Sequence, residues 1–168
     1  MGRQSVQSRM AITYLQMQSP RSHRASVEKP ELAVAGLEFP RPEINRWFYE
    51  KVGATWNWTD RQEWSEAEWH AYAKRPEVCT YLAKVDGERA GYFELEIEDG
   101  GEVQIVYFGL LSRFVGQGLG GALLSEAVEA AWALKDTRRI WLHTCTDDHP
   151  NALRNYLARG FEIYHTEG

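Results

Sequence analysis

Four glycines within six residues form the most unusual stretch of the sequence, GQGLGG at residues 116–121. Each glycine costs about 0.5–1 kcal/mol of extra chain entropy relative to alanine, so this density indicates that bare backbone is required there. Apolar residues then recur at intervals of three and four, which predicts a helix from about Gly118 to Lys135. The unpaired N–H groups and partial positive charge of a helix start attract anions. We therefore expect this loop to bind a polyphosphate.

The same glycines also fit the Gly-x-Gly-x-x-Gly fingerprint of dinucleotide-binding proteins. That fingerprint requires a βαβ unit with an acidic residue at the end of the second strand, about 20 residues further on. Asp136 has roughly that spacing but precedes the predicted strand, whereas Asp147 lies at the strand end but comes too late. The strands upstream of the loop are predicted to form antiparallel hairpins. We therefore do not expect the chain to bind NAD.

A second motif lies about 35 residues beyond the glycine loop. The loop sequence VGQGLGGALL resembles the acetyl-CoA loop of the GNAT acyltransferase superfamily. The later sequence ALRNYLARGF resembles that family's Ala-x-x-x-Tyr-x-x-x-Gly-Phe motif, through Ala152, Tyr156, Gly160 and Phe161. The resemblance covers roughly residues 78–164. It implies an α/β (α+β) fold whose mixed, mostly antiparallel sheet is splayed between two strands and flanked by helices.

The resemblance also implies acetyl-CoA as co-substrate, with pantetheine in the splay and the pyrophosphate on the glycine loop. Val115 stands where the family pattern has Arg or Gln, and either Gln117 or Arg113 could replace that side chain. His149 stands where a pantetheine-binding Asn is frequent, although Asn151 is close by. The expected cofactor-binding residues are Leu110, Leu111, Val115, Gly116, Gln117, Gly118, Leu119, Gly120, Gly121, His149 and Asn151.

Acetyl transfer to an amine needs a neutral nucleophile and support for the departing thiolate. An amine with a pKa of about 10.4 costs ~4.6 kcal/mol to deprotonate at pH 7, so a base helps, often through a water molecule. By the resemblance Tyr156 would donate a hydrogen bond to the thiolate, although it could instead be a core tyrosine. The family's usual strand glutamate aligns with Gln104, which cannot accept a proton. Glu102 and Glu94 could serve through water, or each could be a solvated edge carboxylate.

Three tryptophans occur within nine residues of the segment GATWNWTDRQEW, together with Asp60 and Arg61. They could form an aromatic wall that holds a ring, a cationic amine or, through Arg61, a carboxylate. They could equally be core residues. The expected acceptor-side residues are Trp56, Trp58, Asp60, Arg61, Glu94 and His143. Residues 143–149 contain further His, Cys and Asp residues, but their spacing matches no common metal site, and we expect no metal.

Periodicity and turn signals predict the elements that must position these groups. Ser65 and Glu68 form a capping box at a helix start, and Asp86-Gly87 predicts a type I′ turn between two strands. A surface loop is predicted over residues 19–30. Strands are predicted at residues 12–17, 32–39, 78–85, 89–97, 102–111, 138–146 and 161–167, and helices at 42–52, 66–75, 118–135 and from 150 to a cap at 159–160.

Length and charge narrow the classes of function. A chain of 168 residues favours one domain. The resemblance implies that residues 1–168 form a single acyl-CoA N-acyltransferase domain, with a flexible stretch at 1–10, N-terminal strands and acceptor-side helices at 11–77 and a CoA-binding core at 78–164. Met10 could be an alternative start. The net charge of −5 argues against nucleic acid, and no apolar run suits a membrane. Two distant cysteines suggest a reducing cytoplasm.

The expected function is N-acetyl transfer from acetyl-CoA to an amine of a small molecule or protein, directly, in a ternary complex. The replacement at Gln104 leaves a second interpretation open, because a chain without a base could be a non-catalytic acyl-CoA-binding or interaction module of the same fold. A homodimer is one possible assembly for either function.

Overall fold

The computed structural model describes residues 11–56 and 58–168, so the expectations for residues 1–10 lie outside the described residues. Helices and strands alternate in a mixed α/β arrangement, as the sequence predicts. The elements are β1 (Ile12–Met17), β2 (Leu32–Gly36), α1 (Pro42–Trp56), α2 (Glu66–Ala73), β3 (Val78–Val85), β4 (Glu88–Glu98), β5 (Glu102–Leu110), α3 (Leu119–Ala133), β6 (Arg139–Cys145), α4 (Ala152–Ala158) and β7 (Glu162–Glu167).

The strands form one seven-stranded sheet in the order β2-β3-β4-β5-β6-β1-β7. Every neighbouring pair is antiparallel except β5 and β6. These two parallel strands pair only at their beginnings, where Glu102–Gln104 lies against Arg139–Trp141. Beyond that point they separate, which is the splay that the sequence predicts, and the space between them opens toward the glycine loop.

The sheet is covered on both faces. Successive residues of a strand point to opposite faces, so Tyr92 and Phe93 of β4 belong to different cores. Helix α1 packs Ile44, Phe48 and Val52, spaced four residues apart, around Tyr92. Helix α3 packs against the other face of the sheet, where the larger core includes Phe93 and residues of five strands.

Local turn signals in the sequence are confirmed. Both hydrogen bonds of the Ser65–Glu68 capping box are present at the start of α2. Asp86 and Gly87 have φ values of 51° and 78°, as a two-residue type I′ hairpin requires. Helix α1 continues four residues beyond the predicted end, to Trp56, because no proline interrupts it there. Strand β2 ends earlier than predicted, at Gly36.

The first strand does not lie beside the second. Strand β1 is inserted between β6 and β7, and residues 18–31 cross from there to β2 at the far edge of the sheet. This crossing segment is docked against the helices, because the Arg24 N–H donates to the Arg159 carbonyl (2.9 Å) and the Ser26 N–H donates to Ser125 Oγ (2.8 Å). The loop predicted at residues 19–30 therefore packs on α3 and on the end of α4.

Candidate active site

The space between the diverging strands β5 and β6 contains a cavity of about 640 Å³. This volume is typical of small-molecule sites. Helix α4, the glycine loop and the stretch after α1 complete its walls. The lining residues are Ile12, Trp56, Trp58, Thr59, Asp60, Ile105, Val106, Tyr107, Phe108, Gly109, Leu110, Val115, Gly116, Gly118, Gly120, Gly121, His143, Cys145, Asp148, His149, Asn151, Ala152, Asn155 and Tyr156.

The glycine loop presents bare backbone to this cavity. Gly116 and Gly118 have φ values of 85° and 77°, a region that glycine adopts without strain. Within residues 11–56 and 58–168, the N–H groups of residues 116–118 donate to no backbone carbonyl. A Cβ on Gly120 would meet only Asn155 Nδ2, at 3.7 Å, so space remains on that side. Free donors at the start of a 15-residue helix fit a phosphate ligand.

Tyr156 lies on α4 and faces the cavity. Its ring is 8% exposed and packs edge-on against Phe161, at 6.2 Å between centroids. Among the described residues, its hydroxyl has no hydrogen-bond partner. Burial, with a smaller contribution from Asp148, raises the pKa of this phenol above its ordinary value of 10.0. The hydroxyl is therefore a neutral donor at physiological pH.

Two carboxylates and two aromatic rings of the cavity lining are connected to one another. Trp58 Nε1 donates to Asp148 Oδ1 (3.4 Å), and the Trp58 ring lies 4.6 Å from that of Tyr107. The Tyr107 hydroxyl donates to Asp60 Oδ1. We call Trp58, Asp60, Tyr107 and Asp148 the acceptor wall. In the described part of the chain, no Lys or Arg lines the cavity, so its charged side chains are acidic.

The sequence family is decided by a comparison with family models. The model described as "Acetyltransferase (GNAT) family" matches residues 41–161. The chain belongs to the GNAT acetyltransferase family. Members of this family generally use acetyl-CoA as the acetyl donor, and acetyl transfer is the general activity that the match supports. A search of curated proteins finds no significant match.

Solved structures show the same GNAT fold. A GCN5-related N-acetyltransferase from Kribbella flavida superposes with a TM-score of 0.68 at 18% identity, over 93% of this chain and 55% of that one. One from Sphaerobacter thermophilus gives 0.66 at 21% identity, over 94% and 49%. An aminoglycoside acetyltransferase, meta-AAC0020 from an uncultured soil metagenomic sample, gives 0.65 at 11% identity, over 78% and 88%. The chain thus spans about half the length of the first two.

Several residues expected to bind the cofactor support the GNAT loop from outside the cavity. Gln117 Nε2 donates to the Arg113 carbonyl (2.9 Å), and Arg113 itself is ion-paired with Glu88. Both side chains are exposed, and each is engaged with a partner in this arrangement. Leu119 is buried against Ala90. Their contribution is to hold the loop in shape.

Other expected cofactor residues fall into two groups. Leu110 lines the cavity, whereas the Leu111 N–H already donates to the Ala90 carbonyl (2.8 Å) and is unavailable to pantetheine. Gly121 also lines the cavity, but an added Cβ would lie 2.6 Å from Ser26 Oγ. Gly121 is therefore needed for close packing of the crossing segment, in addition to any role in the loop.

The residues that precede and open α4 line the cavity as expected. His149 Nδ1 accepts the Asn151 N–H (2.9 Å), and the His149 ring packs edge-on against Trp56 at 4.9 Å. Asn155 was missed by the sequence analysis. Its Nδ2 donates to the Gly120 carbonyl (3.1 Å) and joins α4 to the glycine loop. Its position beside Tyr156 in the second motif could have identified Asn155 as a residue near the cavity.

Glu102, an expected base candidate, and Gln104, which stands where the family has its usual strand glutamate, both lie where β5 and β6 are still paired. Glu102 is at the closed end of the splay, where Arg139 Nη1 donates to its Oε1 (2.6 Å). Gln104 lies at the same end and pairs with Trp141 of β6. Neither residue lines the cavity, because β5 and β6 are still hydrogen-bonded at that level.

Arg61 and Glu94, expected on the acceptor side, instead form an ion pair behind the acceptor wall. They are 5% and 0% exposed, and Arg61 Nη1 lies 3.1 Å from Glu94 Oε1. Asn45 and Tyr72 also donate to the Glu94 carboxylate. Burial, the largest single effect, opposes the charge on Arg61, but Glu94, Tyr72 and Tyr107 together outweigh it and raise the pKa of the guanidinium. Because both charges are satisfied internally, neither residue is available to a ligand.

The Arg61 guanidinium is enclosed by aromatic rings. It lies 4.1–4.7 Å from the ring centroids of Trp64, Tyr72 and Tyr107. Trp64 is therefore a partner of Arg61 and does not line the cavity. The remaining expected acceptor residues, Trp56, Trp58, Asp60 and His143, do line it. Tyr107 and Asp148 are acceptor-wall residues that the sequence analysis did not identify.

No group of three or more metal-ligating side chains that could hold an ion occurs in residues 11–56 and 58–168. Over the same residues, no helix has the length and apolar character needed to span a bilayer.

Proposed function

We propose that the chain is an acetyl-CoA-dependent N-acetyltransferase that transfers the acetyl group directly to a cationic amine bound at the acceptor wall. The observation that carries the proposal is one cavity with three chemically different regions. The glycine-loop backbone, the side chains of Trp58, Asp60 and Asp148, and Tyr156, whose hydroxyl has no hydrogen-bond partner among the described residues, all line this cavity. Membership of the GNAT family supports acetyl transfer as the chemistry.

The residues present fit acetyl-CoA. The N–H groups of the glycine loop would hold its pyrophosphate, and the edge of β5 from Val106 to Leu110 would run beside pantetheine. The β4–β5 register shifts so that Val106 has no partner on β4, a bulge of the kind often found beside active sites. When bound, acetyl-CoA supplies an activated thioester carbonyl and a thiolate leaving group.

The acceptor is proposed to be a cation because of the charges and rings of the cavity. Asp60 and Asp148 are its two acidic side chains, and Trp56, Trp58 and Tyr107 offer ring faces to an ammonium group. Arg61, the residue that could have bound an acceptor carboxylate, is paired with Glu94. An acceptor bearing a carboxylate near its amine would therefore be repelled.

Asp60 is the proposed proton acceptor. Asp148 already accepts from Thr144, Cys145 and Trp58, and His149 Nδ1 is engaged by the Asn151 N–H. Asp60 accepts from Tyr107 and Tyr49 through Oδ1, and within the described residues its Oδ2 has no partner. Asp60 would take a proton from the ammonium group, directly or through water, so that the neutral nitrogen can attack.

Tyr156 would complete the transfer. As the new C–N bond forms and the C–S bond breaks, its hydroxyl would donate a hydrogen bond to the departing sulfur. The second amine proton would neutralise the thiolate. An ordinary phenol, with a pKa of about 10, is already a weaker acid than a thiol with a pKa of about 8.5. Burial raises the pKa of Tyr156 further, so its hydroxyl would stabilise the transition state without fully losing its proton.

The proposal is tested by measuring release of the CoA thiol from acetyl-CoA with a panel of amines. The panel should include polyamines, aminoglycosides and aromatic amines, together with α-amino acids of similar size. Turnover on cationic amines and none on α-amino acids supports the proposal. Tight acetyl-CoA binding without turnover on any amine would instead favour the non-catalytic module.

A matched pair of variants tests the acceptor wall. Asp60→Asn should lower kcat/KM for a cationic amine by about 10²- to 10⁴-fold, because it removes the proposed base. Glu63→Gln, an exposed charge change three residues away, should leave kcat/KM unchanged. If Asp60→Asn retains wild-type kcat/KM, Asp60 is not the base.

A further inference from the structure

The crossing segment brings a positive charge to the glycine loop. A Cβ placed on Gly118 would lie 3.3 Å from both Cε and Nζ of Lys29, so the ammonium group sits beside the residue that caps α3. Lys29 precedes β2 by three residues and is partly buried. It lies outside residues 41–161, the part of the chain that matches the family model.

The position of Lys29 is fixed on both sides. Before it, the Ser26 N–H donates to Ser125 Oγ of α3 (2.8 Å), and Gly121 allows the close approach of Ser26. After it, the Leu32 N–H donates to the Lys29 carbonyl (2.9 Å), where the chain enters β2. The backbone of Lys29 is therefore held against the start of α3, and only its side chain has to be ordered by a ligand.

The charge of Lys29 has no internal partner. Within residues 11–56 and 58–168, it forms no ion pair, whereas Arg113 of the loop region is paired with Glu88. Arg159 also brings a guanidinium to the loop, since its Nη1 would lie 2.7 Å from a Cβ on Gly121. The cavity itself is lined by two carboxylates and no cation. A pyrophosphate at the glycine loop would thus find backbone donors, the positive end of α3 and one unpaired ammonium group.

We propose that Lys29 is a phosphate-binding residue of the acyl-CoA site, supplied by the crossing segment and directed at the pyrophosphate. The inference rests on the proposed function, since it requires CoA to bind. It assigns a second role to the path of the chain from β1 to β2, which brings an ammonium group to Gly118 from outside both GNAT motifs.

The test is isothermal titration calorimetry of wild type and Lys29→Met with CoA and with dephospho-CoA, which retains the pyrophosphate but lacks the 3′-phosphate. Lys29→Met should weaken the binding of both ligands by about 10- to 100-fold, the range expected for one hydrogen bond to a charged group. The affinity of the variant should also depend less steeply on salt concentration. An effect seen with CoA but absent with dephospho-CoA would overturn the assignment to the pyrophosphate.

Two control variants separate charge from structure. Lys135→Met makes the same change in net charge beyond the other end of α3 and should bind both ligands like wild type. Lys29→Arg keeps the charge and should recover most of the affinity. If the wild-type protein binds CoA and Lys29→Met binds it with the same affinity, the inference about Lys29 is overturned but the proposed function is not. A wild-type protein that binds no CoA would overturn the proposed function as well.

Discussion

At the scale of single residues, the Tyr156 hydroxyl is the clearest candidate for a group used in the transition state. Its ring is packed by Phe161 and Phe108, so Tyr156→Phe should preserve the packing and remove one oxygen. We expect kcat to fall by about 10- to 10⁴-fold with little change in KM for acetyl-CoA. Steady-state kinetics on a verified acceptor measures this, with the exposed Tyr164→Phe as control. Wild-type kcat in Tyr156→Phe would make Tyr156 a core residue.

Cys145 provides a readout of the cavity that does not depend on turnover. Burial, followed by Asp148, raises the pKa of its thiol, so a smaller fraction is thiolate at neutral pH than in a free cysteine. In a Cys79→Ser background, alkylation by iodoacetamide should be slow at pH 7.5 and accelerate as the pH rises toward the raised pKa. CoA should slow it further, because Cys145 lines the cavity. Mass spectrometry gives the rates, and a rate unaffected by saturating CoA would contradict binding there.

The residues that line the cavity were predictable from the sequence where a motif fixed the neighbourhood, and in part from the tryptophan-rich segment, which supplies Trp56, Trp58 and Asp60. The glycine loop and Tyr156 lie in motifs, and both line the cavity. The fate of Arg61 could not be predicted, because its partner Glu94 lies 33 residues away on β4 and the pairing depends on how α1 packs. The sequence of an aromatic segment does not show whether a charged residue within it is already paired with another side chain of the protein or is available to a ligand.

At the scale of elements, adjacent glycines at the start of α3 have separable roles. A Cβ on Gly120 has room in the protein but would occupy the proposed phosphate cradle, whereas a Cβ on Gly121 would strike Ser26 Oγ (2.6 Å) and Arg159 Nη1 (2.7 Å). Gly120→Val should keep the melting temperature of the free protein and abolish its increase by CoA. Gly121→Val should lower the melting temperature itself. Thermal melts of both variants with and without CoA distinguish the two effects.

Normal binding of CoA by Gly120→Val would contradict this prediction, because the proposed phosphate site would then tolerate a side chain at residue 120. Equal destabilisation by both substitutions would show that packing alone explains the two glycines.

Element boundaries were predictable where a local signal decides them. The Ser65–Glu68 capping box and the Asp86-Gly87 turn depend on residues within three positions of one another, and both are present. The place of β1 in the sheet has no such signal. Its first residue, Ile12, pairs with Cys145 of β6 on one side and with Glu167 of β7 on the other. Both partners are more than 130 residues away in the sequence. Pairing at that distance is decided by which edges the rest of the sheet leaves open.

At the scale of the whole molecule, β1 is an interior strand, although it is the first strand of the chain. Leu15 and Met17 are fully buried in the main core, and β7 contacts the sheet only through β1. Burial of two such side chains contributes about 3–6 kcal/mol. The pairing of β7 with the sheet therefore depends on β1. The crossing segment links β1 to β2, which lies at the opposite edge of the sheet.

This arrangement predicts that β1 can be moved to the other end of the chain. Ile12 pairs directly with Glu167 in antiparallel register, so the end of β7 and the beginning of β1 are neighbours. A permuted chain running from residue 18 to 167, then Asn-Gly, then 12 to 17, would join them by a two-residue hairpin. We expect it to melt cooperatively and to bind CoA, because every strand pair is retained. A chain of residues 18–168 alone should fail to fold, since it lacks Leu15 and Met17 and leaves β7 without a partner. Circular dichroism melts and titration with CoA compare the two, and a permuted chain that is as unfolded as the truncated one would contradict the placement of β1 between β6 and β7.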